Sequence, residues 1–227
     1  MPADKTKPTL TGEEFANSLA ESIRLDLGRL AQLSAAGEAA PDLSIDRLLL
    51  IALKNELEAS EIAAIWMSTT SELDVKLALA RQTGDEARHY RLIVERLKEL
   101  GVDADRIDPR DSGYSPMFEY LRDLGSTVER VAAGQFTREG IAVVRNECFI
   151  DFCESLGDAK TAALYRDVIQ PDERQHNELG RRLLVRYAVT EEQQQEAHQA
   201  ARRTLELAEE IQEMARLKAG LSRVPGC

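Results

Sequence analysis

Apolar residues recur every three or four positions along most of the chain, the spacing of one helical face. Phe15, Leu19, Ile23, Leu27 and Leu30 form the first stripe, opened by a Thr11-x-x-Glu14 capping box and broken at Gly37–Pro41. A second helix is predicted from Ser44 or Ile45 to about Met67. A polar turn follows at Ser68–Ser71, with Ser71 and Asp74 as candidate caps for a third helix ending at Leu100 and Gly101. Residues 101–115 lack periodicity and read as a crossover from one end of a bundle to the other. A short helix is expected over Met117–Ala133, then, past Gly134, another over Thr137–Leu156. A further helix spans Ala159–Tyr187, interrupted by Pro171. A polar last helix runs from Thr190-Glu191-Glu192 to Lys218 and stops at Gly220. No segment alternates as a strand would.

Composition agrees with an all-helical chain of 227 residues, 43% hydrophobic and 5% aromatic. A net charge of −11 argues against a nucleic-acid partner, because phosphate binding needs a basic surface. The longest apolar run, Leu48–Leu53, is too short to span a membrane. With a polar Met1–Thr9, this leads us to expect a cytoplasmic protein. Cys148, Cys153 and Cys227 form no Cys-x-x-Cys pair, and Cys148 and Cys153 read as small core residues.

One pattern occurs twice, 87 residues apart: Asp85-Glu86-Ala87-Arg88-His89 and Asp172-Glu173-Arg174-Gln175-His176. On a helix, positions three apart share a face, so each Glu and its His can reach one metal ion. An upstream echo accompanies each copy, Lys54-Asn55-Glu56 and Arg145-Asn146-Glu147, both following apolar residues. Of Glu56, Glu58 and Glu61, only Glu56 sits within an apolar stripe, where an ionised carboxylate is costly unless paired or metal-bound. Glu58 is the substitute if the register differs. Glu147, flanked by Val143, Val144 and Ile150, repeats the pattern of Glu56. The expected ligands are therefore Glu56, Glu86, His89, Glu147, Glu173 and His176. Such a set suits a pair of hard cations in a helical bundle, the carboxylates offsetting their charge. Asp85 and Asp172 are expected to accept the distal N–H of His89 and His176 respectively. Arg88 and Asp151 are placed just outside the ligands.

At these residues, over about 45–187, the chain resembles the ferritin-like di-iron carboxylate superfamily. Within it, the DE-x-R-H pattern resembles the oxygen-activating branch of soluble multicomponent monooxygenases and, more loosely, acyl-carrier-protein desaturases. Arg88 matches that pattern and Gln175 departs from it. Asp151 stands where those monooxygenases place a threonine. Ile150 stands where rubrerythrins place an extra glutamate, and their paired Cys-x-x-Cys module is missing. Ile93 stands where ribonucleotide reductase small subunits carry their oxidisable tyrosine. The resemblance implies a ferritin-like four-helix bundle over 44–188, with a long B–C crossover between its second and third helices. Accessory helices would lie in 1–43 and 189–227. It also implies two iron ions, with manganese as a substitute at one or both sites.

The expected function is an oxygenase or oxidase acting on a small organic substrate with dioxygen and an external electron donor, in a monomer or homodimer. Iron oxidation or peroxide scavenging is the alternative, and a non-catalytic subunit of a larger complex is the third reading. No catalytic residue beyond the ligands can be named from the sequence.

Overall fold

The computed structural model describes residues 9–35, 43–219 and 225–226. The break at Gly37–Pro41, the stop at Gly220, Cys227 and the polar segment up to residue 8 lie outside them. Among the described residues every regular element is helical: α1 Gly12–Ala35, α2 Ile45–Thr69, α3 Leu73–Glu99 and α4 Pro116–Arg122 come first. Helix α5 begins at Thr127–Arg130, passes through a π-helical stretch at Val131–Arg138 and resumes over Glu139–Ser155. Helix α6 likewise joins Ala159–Leu164, a π stretch at Tyr165–Ile169, and Gln170–Tyr187. Helix α7 is Glu191–Ala219.

Two helical hairpins make the bundle. The short link at 70–72 folds α3 back on α2, and the α5–α6 link turns at Gly157, whose φ of 77° is the left-handed conformation glycine tolerates. Asp158 then caps the renewed helix by accepting from the Thr161 N–H at 3.0 Å. Between the hairpins lies the predicted crossover, which carries two short 3₁₀ turns at Ala104–Arg106 and Pro109–Ser112. Glu58 pins its far end, accepting from the Ser115 N–H at 2.8 Å and from the Ser115 hydroxyl. Trp66 holds α4 through an indole N–H bond to the Leu121 carbonyl at 3.2 Å. Helix α1 packs across α5, α6 and α7, and α7 packs on the π stretch of α5.

The third ligand helix differs from its prediction. It runs unbroken through Gly134 because Ser126 and Glu129 form a capping box that starts it ten residues before Thr137. Gly134 is a contact residue, since a Cβ there would lie 2.6 Å from the Trp66 ring. Pro171 does not interrupt α6; it follows the π stretch, which accommodates a residue without an N–H. At Gly180 a Cβ would lie 2.6 Å from the Gln135 backbone, so α5 and α6 touch main chain to side-chain-free surface. We expect Gly180→Ala to destabilise the fold by about 1–3 kcal/mol, the usual cost of overpacking. A denaturant midpoint equal to that of the parent would contradict that contact.

The core is split into two apolar layers. Leu48, Leu53, Ile93, Leu97, Phe149, Tyr165 and Ile169 belong to one; Ile62, Trp66, Val75, Leu79, Val131, Leu183 and Leu184 belong to the other. In α2, α3 and α6 the candidate ligands fall between the residues given to each layer. Apolar packing on both sides keeps this polar layer out of water.

Candidate metal centre

Two clusters of buried ligand atoms meet in that layer. One comprises Glu56, Glu86, His89 and Glu173; the other comprises Glu86, Glu139, Glu173 and His176, with the ligand atoms of each cluster all within 4.8 Å of one another. Glu86 and Glu173 belong to both. Glu86 turns Oε2 towards His89 Nδ1 at 3.2 Å and Oε1 towards His176 Nδ1 at 3.5 Å. Glu173 turns Oε1 towards His89 Nδ1 at 3.5 Å and Oε2 towards His176 Nδ1 at 3.7 Å. Glu56 adds an oxygen on the His89 side at 3.4 Å, and Glu139 adds one on the His176 side at 4.0 Å.

Five of the six expected ligands thus converge, and Glu147 does not. Its side chain is 54% exposed and pairs with Arg174 at 2.9 Å. Glu139, 1% exposed, takes the place expected of it. The two lie eight residues apart in one α-helical stretch, about 80° apart around it, and the face turned to the layer is the one that carries Glu139. Beyond it, the inward face carries Ala142, Asn146, Phe149 and Cys153, leaving Glu147 outside. Asp151 is also corrected: it lies exposed on α5, away from the ligand layer. Counted from Glu139, the positions compared with a threonine and an extra glutamate hold Val143 and Ala142.

The aspartates are found as hydrogen-bond acceptors, but crossed. His89 Nε2–H donates to Asp172 at 3.0 Å, and His176 Nε2–H donates to Asp85 at 3.1 Å. Each DE-x-x-H helix therefore orients the imidazole of the other. This fixes the ring orientation and turns both Nδ1 atoms inward, the role such outer partners play at metal-bound histidines. Arg88 forms an ion pair with Asp172. Arg81 pairs with Asp85 at 3.3 Å and donates to Gln175 at 2.8 Å, so Gln175 serves the second half where an arginine was expected.

Gln82, one turn before Glu86, was missed by sequence reasoning. It donates to Glu139 at 2.6 Å and to Glu86 at 3.3 Å, and accepts from Gln135 at 3.3 Å. Arg138 lies against Glu139 at 3.4 Å and donates to the Asn55 carbonyl. Spacing alone offered one clue: Gln82 lies four residues before Glu86, on the same helical face.

Four buried carboxylates repel one another, and the proton affinities of Glu56 and Glu173 register it. Burial pushes Glu56 up to about 7, against the pull of His89 and with the help of Glu86. Burial also raises Glu173 well above the carboxylate range, aided by the charges of Glu86 and Glu139. Burial would raise Glu86 too, but the hydrogen bond from His89 and the charges of His176, His89 and Arg138 outweigh it and hold Glu86 at about 2. For His89 burial disfavours the cation, yet Glu56 and Glu86 prevail and raise it to about 11. Among the described residues, His176 Nδ1 and Glu173 Oε2 are buried with no hydrogen-bond partner, an expense a protein normally avoids. Cations fit here: two divalent ions would match the charge of the four carboxylates and give both atoms a partner.

No helix among the described residues is long and apolar enough to cross a membrane. No family model, curated protein or solved structure matches the chain. The all-α bundle and its two Glu/His clusters, capable of holding divalent metal ions, are consistent with a ferritin-like di-iron carboxylate fold.

Proposed function

We propose that the protein is a di-iron carboxylate oxidoreductase that uses dioxygen to oxidise a small organic substrate. One observation carries the reading: Glu86 and Glu173 each direct one oxygen towards each histidine, the disposition two neighbouring ions need from shared carboxylates. Glu56 and His89 would complete one position, Glu139 and His176 the other. Iron bound there would supply reduction of dioxygen with electrons from an external donor.

The chain's own residues supply the rest. Asp85 and Asp172 hold the imidazoles with Nδ1 turned inward, and Gln82 restrains Glu86 and Glu139 by donating to their oxygens. The two apolar layers exclude bulk water, which strengthens every charge interaction between them. The DE-x-R-H pattern around Arg88 supports the oxygen-activating branch. A second reading, with iron or peroxide as the substrate, is favoured by the size of the cavity beside Glu56 and Glu139, about 10 Å3. That is room for about one water molecule.

Anaerobic titration with Fe2+ should saturate at two ions per chain. An oxygen pulse with reductant should then hydroxylate or desaturate added small organic molecules. Saturation below two ions would refute the metal pair. Continued oxidation of excess Fe2+ or rapid peroxide consumption, without organic product, would select the second reading.

A further inference from the structure

The peptide group between Pro225 and Gly226 lies beside the carboxylate layer, held at both of its polar ends. Asn55 Nδ2 donates to the Pro225 carbonyl at 3.1 Å, and the Gly226 N–H donates to Asn146 Oδ1 at 2.9 Å. Asn55 directly precedes Glu56 on α2, and Asn146 is on α5, 1% exposed. Gly226 is buried, and with Glu56, Glu86, Glu139 and Glu173 it lines the cavity of about 10 Å3. Its φ of 72° is the left-handed conformation that suits glycine. One donor and one acceptor, from two different helices, thus match the carbonyl and the N–H of a single peptide unit.

We propose that Pro225–Gly226 is a strap over the metal pair and that Asn55 and Asn146 are its latch. With the strap in place the cavity admits nothing larger than about one water molecule. A larger molecule reaches the ligands only after the latch opens. The proposal rests on the metal-pair reading for its purpose, while the latch is testable without metal.

In the full-length metal-free protein, hydrogen exchange at the Gly226 amide should be slow. It should quicken about tenfold or more in Asn146→Ala, as loss of a buried hydrogen bond implies. Asn55→Ala opens the other end and serves if Asn146→Ala does not fold. After Co2+ loading, extraction by excess EDTA should be about tenfold faster in either variant, with the same number of ions bound at the start. A Gly226 amide that exchanges as an unstructured peptide in the parent would overturn the latch. Equal extraction rates from variants whose Gly226 amide is freed would overturn the strap's role in access. Failure of the parent to take up Co2+ would instead refute the metal pair.

Discussion

Glu139→Gln is expected to abolish tight binding of one of two metal ions, whereas Glu147→Gln leaves both in place. Glu139 belongs only to the His176 cluster, so the Glu56/His89 position should survive. Removing an outer partner of a metal ligand typically costs roughly 10–100-fold in affinity, and losing a ligand should cost more. Glu147 is in an exposed ion pair with Arg174, worth at most about 1 kcal/mol. The metal-loaded Glu139→Gln variant should also melt lower than the loaded parent, because one ion fewer stabilises the fold. Anaerobic Co2+ titrations and paired melting curves read both effects. Loss of an ion in the Glu147 variant, with Glu139→Gln binding normally, would restore the assignment made from the repeat.

The second large effect is on pH. Glu56 is held at about 7 against an ordinary 4.5, so between those values the folded chain keeps a proton that the unfolded chain releases. Stability from that group falls as pH rises through this window. His89, raised from 6.5 to about 11, acts in the same direction: its contribution is complete below 6.5 and is lost as pH rises towards 11. Glu86, lowered to about 2, contributes above 4.5 and loses that contribution as pH falls towards 2. Metal-free protein should therefore weaken from about pH 5 upwards. Metal ions must displace the protons of His89, Glu56 and Glu173, so their affinity should rise over the same range. At a metal concentration about a thousandfold above Kd, binding adds about 4 kcal/mol. For a chain of this size that is a rise in Tm of roughly 8–16 °C. The gap between loaded and metal-free melting temperatures should widen from about pH 5.5 to 8, and loading in weak buffer should release more than one proton per chain. A constant gap with no proton release would mean these groups do not meet the metal. Self-repulsion of the net charge of −11 acts on both forms and largely cancels in the difference.

Much of this architecture could be read in advance because its signals were local. The Thr11–Glu14 capping box bonds as expected, and the stripes of α2 and α3 pointed to Glu56, Glu86 and His89, which the fold brings together in the buried layer. What escaped was phase and partnership across helices. Glu139 and Glu147 lie about 80° apart around one helix, and the spacing of apolar residues did not say which of them faces the layer. The resemblance between Asn55-Glu56 and Asn146-Glu147 was real but fell on the wrong residue. Both asparagines do matching work on one peptide, while only the first glutamate is a ligand candidate. Helix α7 looked polar because its buried face is built from small residues, Ala197, Ala200, Ala201 and Ala208, with Leu205 and Leu207. The crossing of Asp85 and Asp172 depends on helix separation, which no intrahelical spacing encodes.

That crossing makes α3 and α6 a single mechanical unit. A slide or twist of either helix would swing the imidazole on the other, so the first ion to settle would hold both rings in register for the second. Occupancy of the pair should accordingly be steeper than for two independent sites.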